Sequence, residues 1–325
     1  MRIAVAGGTG LVGRYVVTEL IDAGHDPVVL SRMQGVDLVS GTGLDQVLKD
    51  AQVLIDVSNV ATLSRKRSER FFAAGTRNLQ EAGARAGVRH HLVLSIVGVD
   101  RVDSGYYAGK RRQEELAMAG PIPASVLRST QFHEFAQQLL ARSRGPVAVV
   151  PRMRIQPIAA REVANALVTL SLGPAVGHAP ELAGPEEQEL VEMARRLAKA
   201  RGLRRRLLPI RVPGHAGRAM AEGALLPTEP GTRGRQTFDE WLEHVVPRSR
   251  GGHMTPENAL VACRSCNRRR GSRPVDAYVR DLLRQGARVD VATVRRCLTR
   301  LAQSPRRAHR EAAQSQLRRL ERLVA

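Results

Sequence analysis

Residues 2–13 read Arg2-Ile3-Ala4-Val5-Ala6-Gly7-Gly8-Thr9-Gly10-Leu11-Val12-Gly13, and this stretch decides the fold. Five residues of strand character run into a glycine turn, and a helical pattern follows through Leu20 to a stop at Gly24. The turn satisfies two registers at once, Gly8-x-Gly10-x-x-Gly13 and Gly7-x-x-Gly10-x-x-Gly13. In either register one glycine allows the tight strand-to-helix turn, one lets backbone approach a pyrophosphate, and one lets helix pack closely on strand. The helix N-terminus then faces the phosphates. Because the turn follows a strand and opens a helix, residues Gly7, Gly8, Thr9, Gly10, Leu11, Val12 and Gly13 are expected to cradle a dinucleotide.

The pattern continues outward from that turn. Pro27–Leu30, 51–57, His91–Ser95 and Ala124–Leu127 are further buried-strand candidates. Helical patterns run from about Glu69 to Gly87 and from near Tyr106. Strands alternating with helices of this length imply parallel βαβ units. The expected class is therefore α/β, a Rossmann-type doubly wound parallel sheet. From Gln131 to Glu243 the alternation loosens, as expected of a part that covers a cofactor site. Beyond 243 the composition changes abruptly. Two domains are expected: 1–243, which binds the nucleotide, and 244–325, a small, basic, mainly helical appendage.

The end of the second strand bears on which nucleotide is bound. An acidic residue there would bond the ribose 2′-hydroxyl, whereas an arginine accommodates a 2′-phosphate. The chain reads Leu30-Ser31-Arg32, with no carboxylate before Asp37. Ser31 and Arg32 favour NADP(H), with NAD(H) as the alternative.

A candidate reaction centre follows. Ser95 ends the fourth strand, and Tyr106-Tyr107-Ala108-Gly109-Lys110 begins eleven residues later. On a helix, positions 106 and 110 share a face. A phenol beside an ammonium can act as a general acid near neutral pH. Ser95 could then polarise a substrate carbonyl.

These residues carry a resemblance. Residues 1–243 resemble the NmrA-like branch of the atypical short-chain dehydrogenases. The matching segments are Gly7–Gly13, Leu30-Ser31-Arg32, Asp56-Val57-Ser58-Asn59, 94–100, Tyr106–Lys110 and Gln131-Phe132-His133-Glu134-Phe135. The resemblance implies a Rossmann fold binding NADP(H), sometimes NAD(H); the alternative to a catalytic Lys110 is that it only binds the ribose, with Tyr106 or Tyr107 packing at the pocket rim. It places Gln131 and Phe132 on the substrate side of the pocket and gives His133 no role. The family it points to includes reducers of quinone-like or other carbonyl compounds. It also includes members that only sense the cofactor and regulate a partner. Both functions stay open: an NADP(H)-dependent oxidoreductase of a small-molecule substrate, or a non-catalytic NADP(H) sensor.

Charge singles out the tail. Residues 245–325 hold 19 Arg, no Lys and 6 acids, so +13 of the net +20 sits in the last quarter. Arg outnumbers Lys 47 to 4 along the whole chain, which explains the choice of Arg but not its clustering. Such a concentration suits a polyanion, and DNA is the expected partner for the tail. Residues 244–273 resemble the second half of an HNH endonuclease. Carried over by position, His244 would be the base and Asn258 the residue that orients water. Asn267 would be a metal ligand, and Glu243 stands where an Asp ligand is usual. Cys263-x-x-Cys266 supplies two thiolates, whereas a closed structural zinc site needs four ligands. The upstream Cys-x-x-Cys is replaced by Gln236–Leu242, so zinc or another divalent metal is not expected here. A truncated remnant, a DNA-binding tail and an HNH-type nuclease are the three readings of the segment.

The bulk composition sets outer bounds. Hydrophobic residues make up 43% of the chain, enough for a buried core. Cys263, Cys266 and Cys297 are the only cysteines, which argues against a disulfide framework. There is no leader pattern and no apolar run approaching the roughly 20 residues that span a bilayer. The expectation is a cytoplasmic protein with no membrane partner.

Overall fold

The first strand of the computed structural model is β1, Arg2–Ala6, and it enters the glycine turn directly. The structure describes residues 1–143 and 145–245, together with 280, 295, 299 and 314–318. Contacts divide the chain into two compact units, Met1–Lys199 with Leu203–Trp241, and Ala200–Gly202 with Leu242–Ala325. The sheet and the candidate site belong to the first.

After β1 come α1 (Leu11–Asp22), β2 (Asp26–Leu30), α2 (Leu44–Val47) and β3 (Val53–Asp56). Then follow α3 (Arg65–Arg85), β4 (His90–Ile96), α4 (Gly105–Met118) and β5 (Ala124–Ser129). The later part contains α5 (Glu134–Arg142), β6 (Val147–Pro151), β7 (Arg154–Ile155) and α6 (Ala160–Ser171). It continues with β8 (Gly177–His178), β9 (Leu182–Ala183), β10 (Gln188–Glu189) and α7 (Leu190–Ala200). The last elements are β11 (Arg206–Ile210), α8 (Gly214–Ala221), β12 (Thr232–Arg233) and α9 (Phe238–Val245), of which the residues up to Trp241 belong to the first unit.

The main sheet runs β12-β9-β5-β4-β3-β1-β2, with β8 also on β5. All its pairings are parallel. This is the α/β Rossmann-like sheet that the sequence implied. Strands of such a sheet are covered on both faces, so both sets of alternating side chains are apolar. One face packs Ile3, Val5, Ile55, Leu92 and Leu94 against α1 and α6 through Val12, Val16, Val163 and Leu167. The other packs Ala4, Ala6 and Leu54 against Leu79 and Ala82 of α3, and Val93 and Val126 against Ala117 of α4.

Because β1 lies between β2 and β3, the order in which strands are added to the sheet reverses beside β1. Ligands of open α/β sheets bind outside the carboxyl ends of the strands at such a switch point. No helix among the described residues is long and apolar enough to cross a membrane.

The first turn of α9 is packed into the first unit. Phe238 and Trp241 are buried, stack at 5.5 Å, and pack on the ring of His133, each 5.9 Å away. The Nε2 atom of His133 bonds the carbonyl of Gln236 at 3.0 Å. His133, given no role from sequence, is thus the seat of this helix.

Candidate functional site

Glycine chemistry shapes the floor of the site. Gly7 has φ +80°, and a Cβ there would lie 2.8 Å from the Val57 carbonyl oxygen and the Ser58 Cα. A Cβ on Gly13 would overlap the Gly7 carbonyl and come within 2.6 Å of the Gly8 Cα. The turn can therefore exist only with bare backbone at both positions. It is closed by Gly10 N–H donating to the Gly7 carbonyl at 2.9 Å. Gly10 caps α1 without a side-chain bond, and the first turn of α1 holds no acid. Its leading N–H groups are free of competing carboxylates, as a phosphate-binding helix end requires.

At the edge of β2, Ser31 is half-buried and Arg32 is exposed. The nearest acid, Asp37, is committed to its own turn, accepting from the amides of Val39 (2.8 Å) and Ser40 (2.9 Å). The Ser40 amide above all holds its carboxyl below the usual range, and Arg32 adds a weaker pull. The first carboxylate after Ser31 and Arg32 in the chain is thus already engaged by its own turn.

The end of β3 and the helix α4 carry a buried polar chain. Asp56, 1% exposed, accepts from the Ser58 amide at 2.9 Å and from Gln113 Nε2 at 2.7 Å. Gln113 in turn accepts from Lys110 Nζ through Oε1, and Lys110 also donates to the Leu94 carbonyl at 2.6 Å. The ammonium lies 4.8 Å from the centre of the Phe72 ring. Lys110 is 4% exposed. Burial pulls its pKa down to about 8, against the opposing attraction of Asp56 and Glu114.

Tyr106 has a different partner. Its hydroxyl donates to Asn59 Oδ1 at 2.8 Å, and its ring packs edge-on with Phe72 and Tyr107. Burial pushes its pKa up to about 12, and the Tyr107 phenol is also raised by burial. The hydroxyl of Tyr106 and the ammonium of Lys110 therefore serve separate acceptors, although they share one helix face.

Ser95 is 2% exposed and its Oγ has no hydrogen-bond partner. By strand alternation it falls on the face of β4 that carries Val93 towards α4. A buried hydroxyl left unpaired is costly and calls for an explanation such as a missing ligand. Gln131 shows the same feature, with both side-chain polar atoms buried and unpartnered. Phe132, half-buried, is joined through its backbone to Ile158.

Sequence reading missed Gln113, and it named Asn59 within the matching segment 56–59 without giving it a role. Gln113 lies three residues beyond Lys110 on the same helical face, and that spacing could have revealed it.

In the tail, the backbone of Glu243 and His244 belongs to the last turn of α9, whereas the HNH resemblance implies a hairpin for the histidine. Asn258, Asn267, Cys263 and Cys266 lie outside the described residues. Among the described residues no group of acids, histidines or cysteines could hold a metal.

Residues 3–122 match the family model described as the NAD dependent epimerase/dehydratase family. Residues 236–273 match that of the HNH endonucleases. Ceramide reductase of Caulobacter vibrioides is 28% identical over 197 residues, covering 54% of this chain and 62% of that protein. The chain thus spans less than two thirds of that relative's length. Among solved structures, a short-chain dehydrogenase/reductase superfamily protein from Agrobacterium tumefaciens with bound NAD superposes with a TM-score of 0.55. It is 19% identical, over 76% of this chain and 96% of that one. The dTDP-4-dehydrorhamnose reductase of Bacillus anthracis in complex with NADP gives a TM-score of 0.58 and 15% identity. That match covers 74% of this chain and 97% of the other. These likenesses establish the Rossmann-like fold of the sheet-bearing unit. The NmrA-like branch is not singled out by them.

Proposed function

We propose that this chain is an NADP(H)-dependent oxidoreductase of a small carbonyl or quinone-like substrate, working through residues 1–243. The single observation that carries the reading is the bare-backbone turn Gly7–Gly13, set at the switch point of a parallel sheet and leading into an acid-free helix start. The nucleotide would lie along Gly7, Gly8, Thr9, Gly10, Leu11, Val12 and Gly13, with Ser31 and Arg32 taking a 2′-phosphate. The commitment of Asp37, the first carboxylate after Arg32, to its own turn supports NADP(H) over NAD(H).

The bound cofactor would supply the hydride. The chain's own groups would then complete the reduction. Tyr106 holds its proton throughout the neutral range and can release it to the carbonyl oxygen as the carbon is reduced. The unpaired Ser95 hydroxyl can donate to that same oxygen. Asn59 fixes the Tyr106 hydroxyl in the meantime. Lys110 steadies the floor of the site, where its contacts with Gln113 and the Leu94 carbonyl hold it. NADPH oxidation over a panel of quinones, aldehydes and ketones, repeated with Tyr106→Phe, tests the scheme. A loss of about a hundredfold or more in kcat is expected, within the range for general acid catalysis. Unchanged turnover would refute the role given to Tyr106.

A second reading rests on one observation. Tyr106 and Lys110 are each engaged elsewhere, as suits a domain that binds NADP(H) and reports its redox state without turnover. Tight NADPH binding with no oxidation across the panel would select it. For 244–325 the proposal is a separate, Arg-rich segment derived from an HNH-like module, with DNA as its candidate ligand. A salt-dependent DNA shift that survives loss of nucleotide binding tests that part.

A further inference from the structure

The loop from 97 to 104 joins β4 to α4, and so joins Ser95 to Tyr106. It is fastened to a segment far along the chain. Arg101 Nε donates to the Ala224 carbonyl at 3.0 Å and Nη2 to the Leu226 carbonyl at 2.7 Å. Its Nη1 donates to Thr228 Oγ1 at 2.9 Å. The two parts are 123 to 127 residues apart in sequence. Contact is close enough that Gly98, at φ +75°, has no room for a Cβ, which would overlap the Ala224 carbonyl oxygen.

The segment is held from a second direction as well. Arg154 Nη1 donates to the Glu222 carbonyl at 3.3 Å, while Glu187 grips the other side of the same guanidinium. Leu225 is fully buried, and Leu226 N–H turns back to the Gly223 carbonyl at 2.9 Å. Residues 222–228 therefore lie against the loop at the carboxyl end of β4, the end at which ligands of such sheets sit. Their half-buried side chains, Ala224, Leu226 and Pro227, are apolar.

We propose that Arg101 is a positioning residue that clasps residues 222–228 into the substrate-side wall of the reaction centre, and that this wall selects apolar carbonyl compounds. The inference rests on the reading of Ser95 and Tyr106 as that centre. Three of the five N–H donors of one guanidinium are spent on this one segment, and removing them would take the donor from two part-buried carbonyls and the anchor from an exposed hydroxyl. The wall would then be free to move without any change at the glycine turn.

The test is steady-state NADPH oxidation by the full chain, with menadione as the probe or the panel carbonyl turned over fastest. It is run on the parent, Arg101→Met, Arg101→Lys and Thr228→Val. Arg101→Met is expected to raise KM for the carbonyl about tenfold or more, with kcat within about threefold and NADPH affinity unchanged. Arg101→Lys reaches fewer acceptors and is expected to recover part of the loss. Thr228→Val, which loses one acceptor, is expected to raise KM about two- to threefold. Unchanged KM in Arg101→Met overturns the clasp while the oxidoreductase reading stands. If Arg101→Met does not fold, unchanged KM in Thr228→Val overturns it instead. A parent chain that oxidises NADPH with no member of the panel overturns the oxidoreductase reading, and the clasp falls with it.

Discussion

Replacing Lys110 by Met is expected to remove a rise of stability with pH. Lys110 is almost wholly buried, and burial draws its pKa from 10.5 to about 8 in the folded chain. In the unfolded chain it returns to its ordinary value. Between pH 8 and 10.5 the unfolded chain binds this proton and the folded chain does not, so stability rises with pH across that window. Below pH 8 both states are protonated and the penalty is constant. The full shift corresponds to about 3 kcal/mol, at roughly 1.36 kcal/mol per unit. Of this about 2 kcal/mol is recovered between pH 7 and 9.5, and what the other groups contribute is common to both proteins. The assay is urea unfolding at those two pH values, followed by fluorescence of the single tryptophan, Trp241. The parent should gain about 2 kcal/mol more than Lys110→Met between the two. At pH 7 the variant should be about as stable as the parent. Relief of desolvation offsets the lost bonds to the Leu94 carbonyl and Gln113, which are worth roughly 1.5–3 kcal/mol each when charged. Parallel pH profiles for the two proteins would refute the reasoning and place the ammonium in contact with water.

Gly13→Ala places a methyl group within 2.6 Å of the Gly8 Cα, and NADPH affinity should fall about a hundredfold or more in a calorimetric titration. His91 and His133 are both held neutral by burial, with pKa values lowered to about 4. The unfolded chain therefore binds more protons between pH 6.5 and 4, and the urea midpoint should fall steadily as pH drops through that window. Phe238→Ala opens a cavity beneath α9, and a loss of about 3–5 kcal/mol is expected from the same fluorescence melt.

Much of this architecture could be read along the chain. Residues 2–13 contain the strand, the turn and the helix start that fix the sheet, and the strands expected at 27–30, 91–95 and 124–127 all form. Helix α3 starts at Arg65 rather than near Glu69, because its first turn, Arg65-Lys66-Arg67, is polar all round and carries no apolar period. Its signal was the cap: Ser64 accepts from the Arg67 amide. Strands β7 to β10 are two residues each, too short for any period to show.

The candidate site divides the same way. The glycine turn is a local device and shows in the sequence. The partners of its polar groups are set by tertiary contact. Gln113 reaches Asp56 across 57 residues, and Tyr106 meets Asn59 across 47. A spacing of four between Tyr106 and Lys110 establishes a shared face, but not where either polar tip goes.

The most direct test of the central claim is a calorimetric titration of NADPH and NADH into the full chain, alongside Arg32→Ala. The account predicts saturable NADPH binding at least about tenfold tighter than NADH, with the preference lost in Arg32→Ala. A folded chain that takes up neither nucleotide would contradict it.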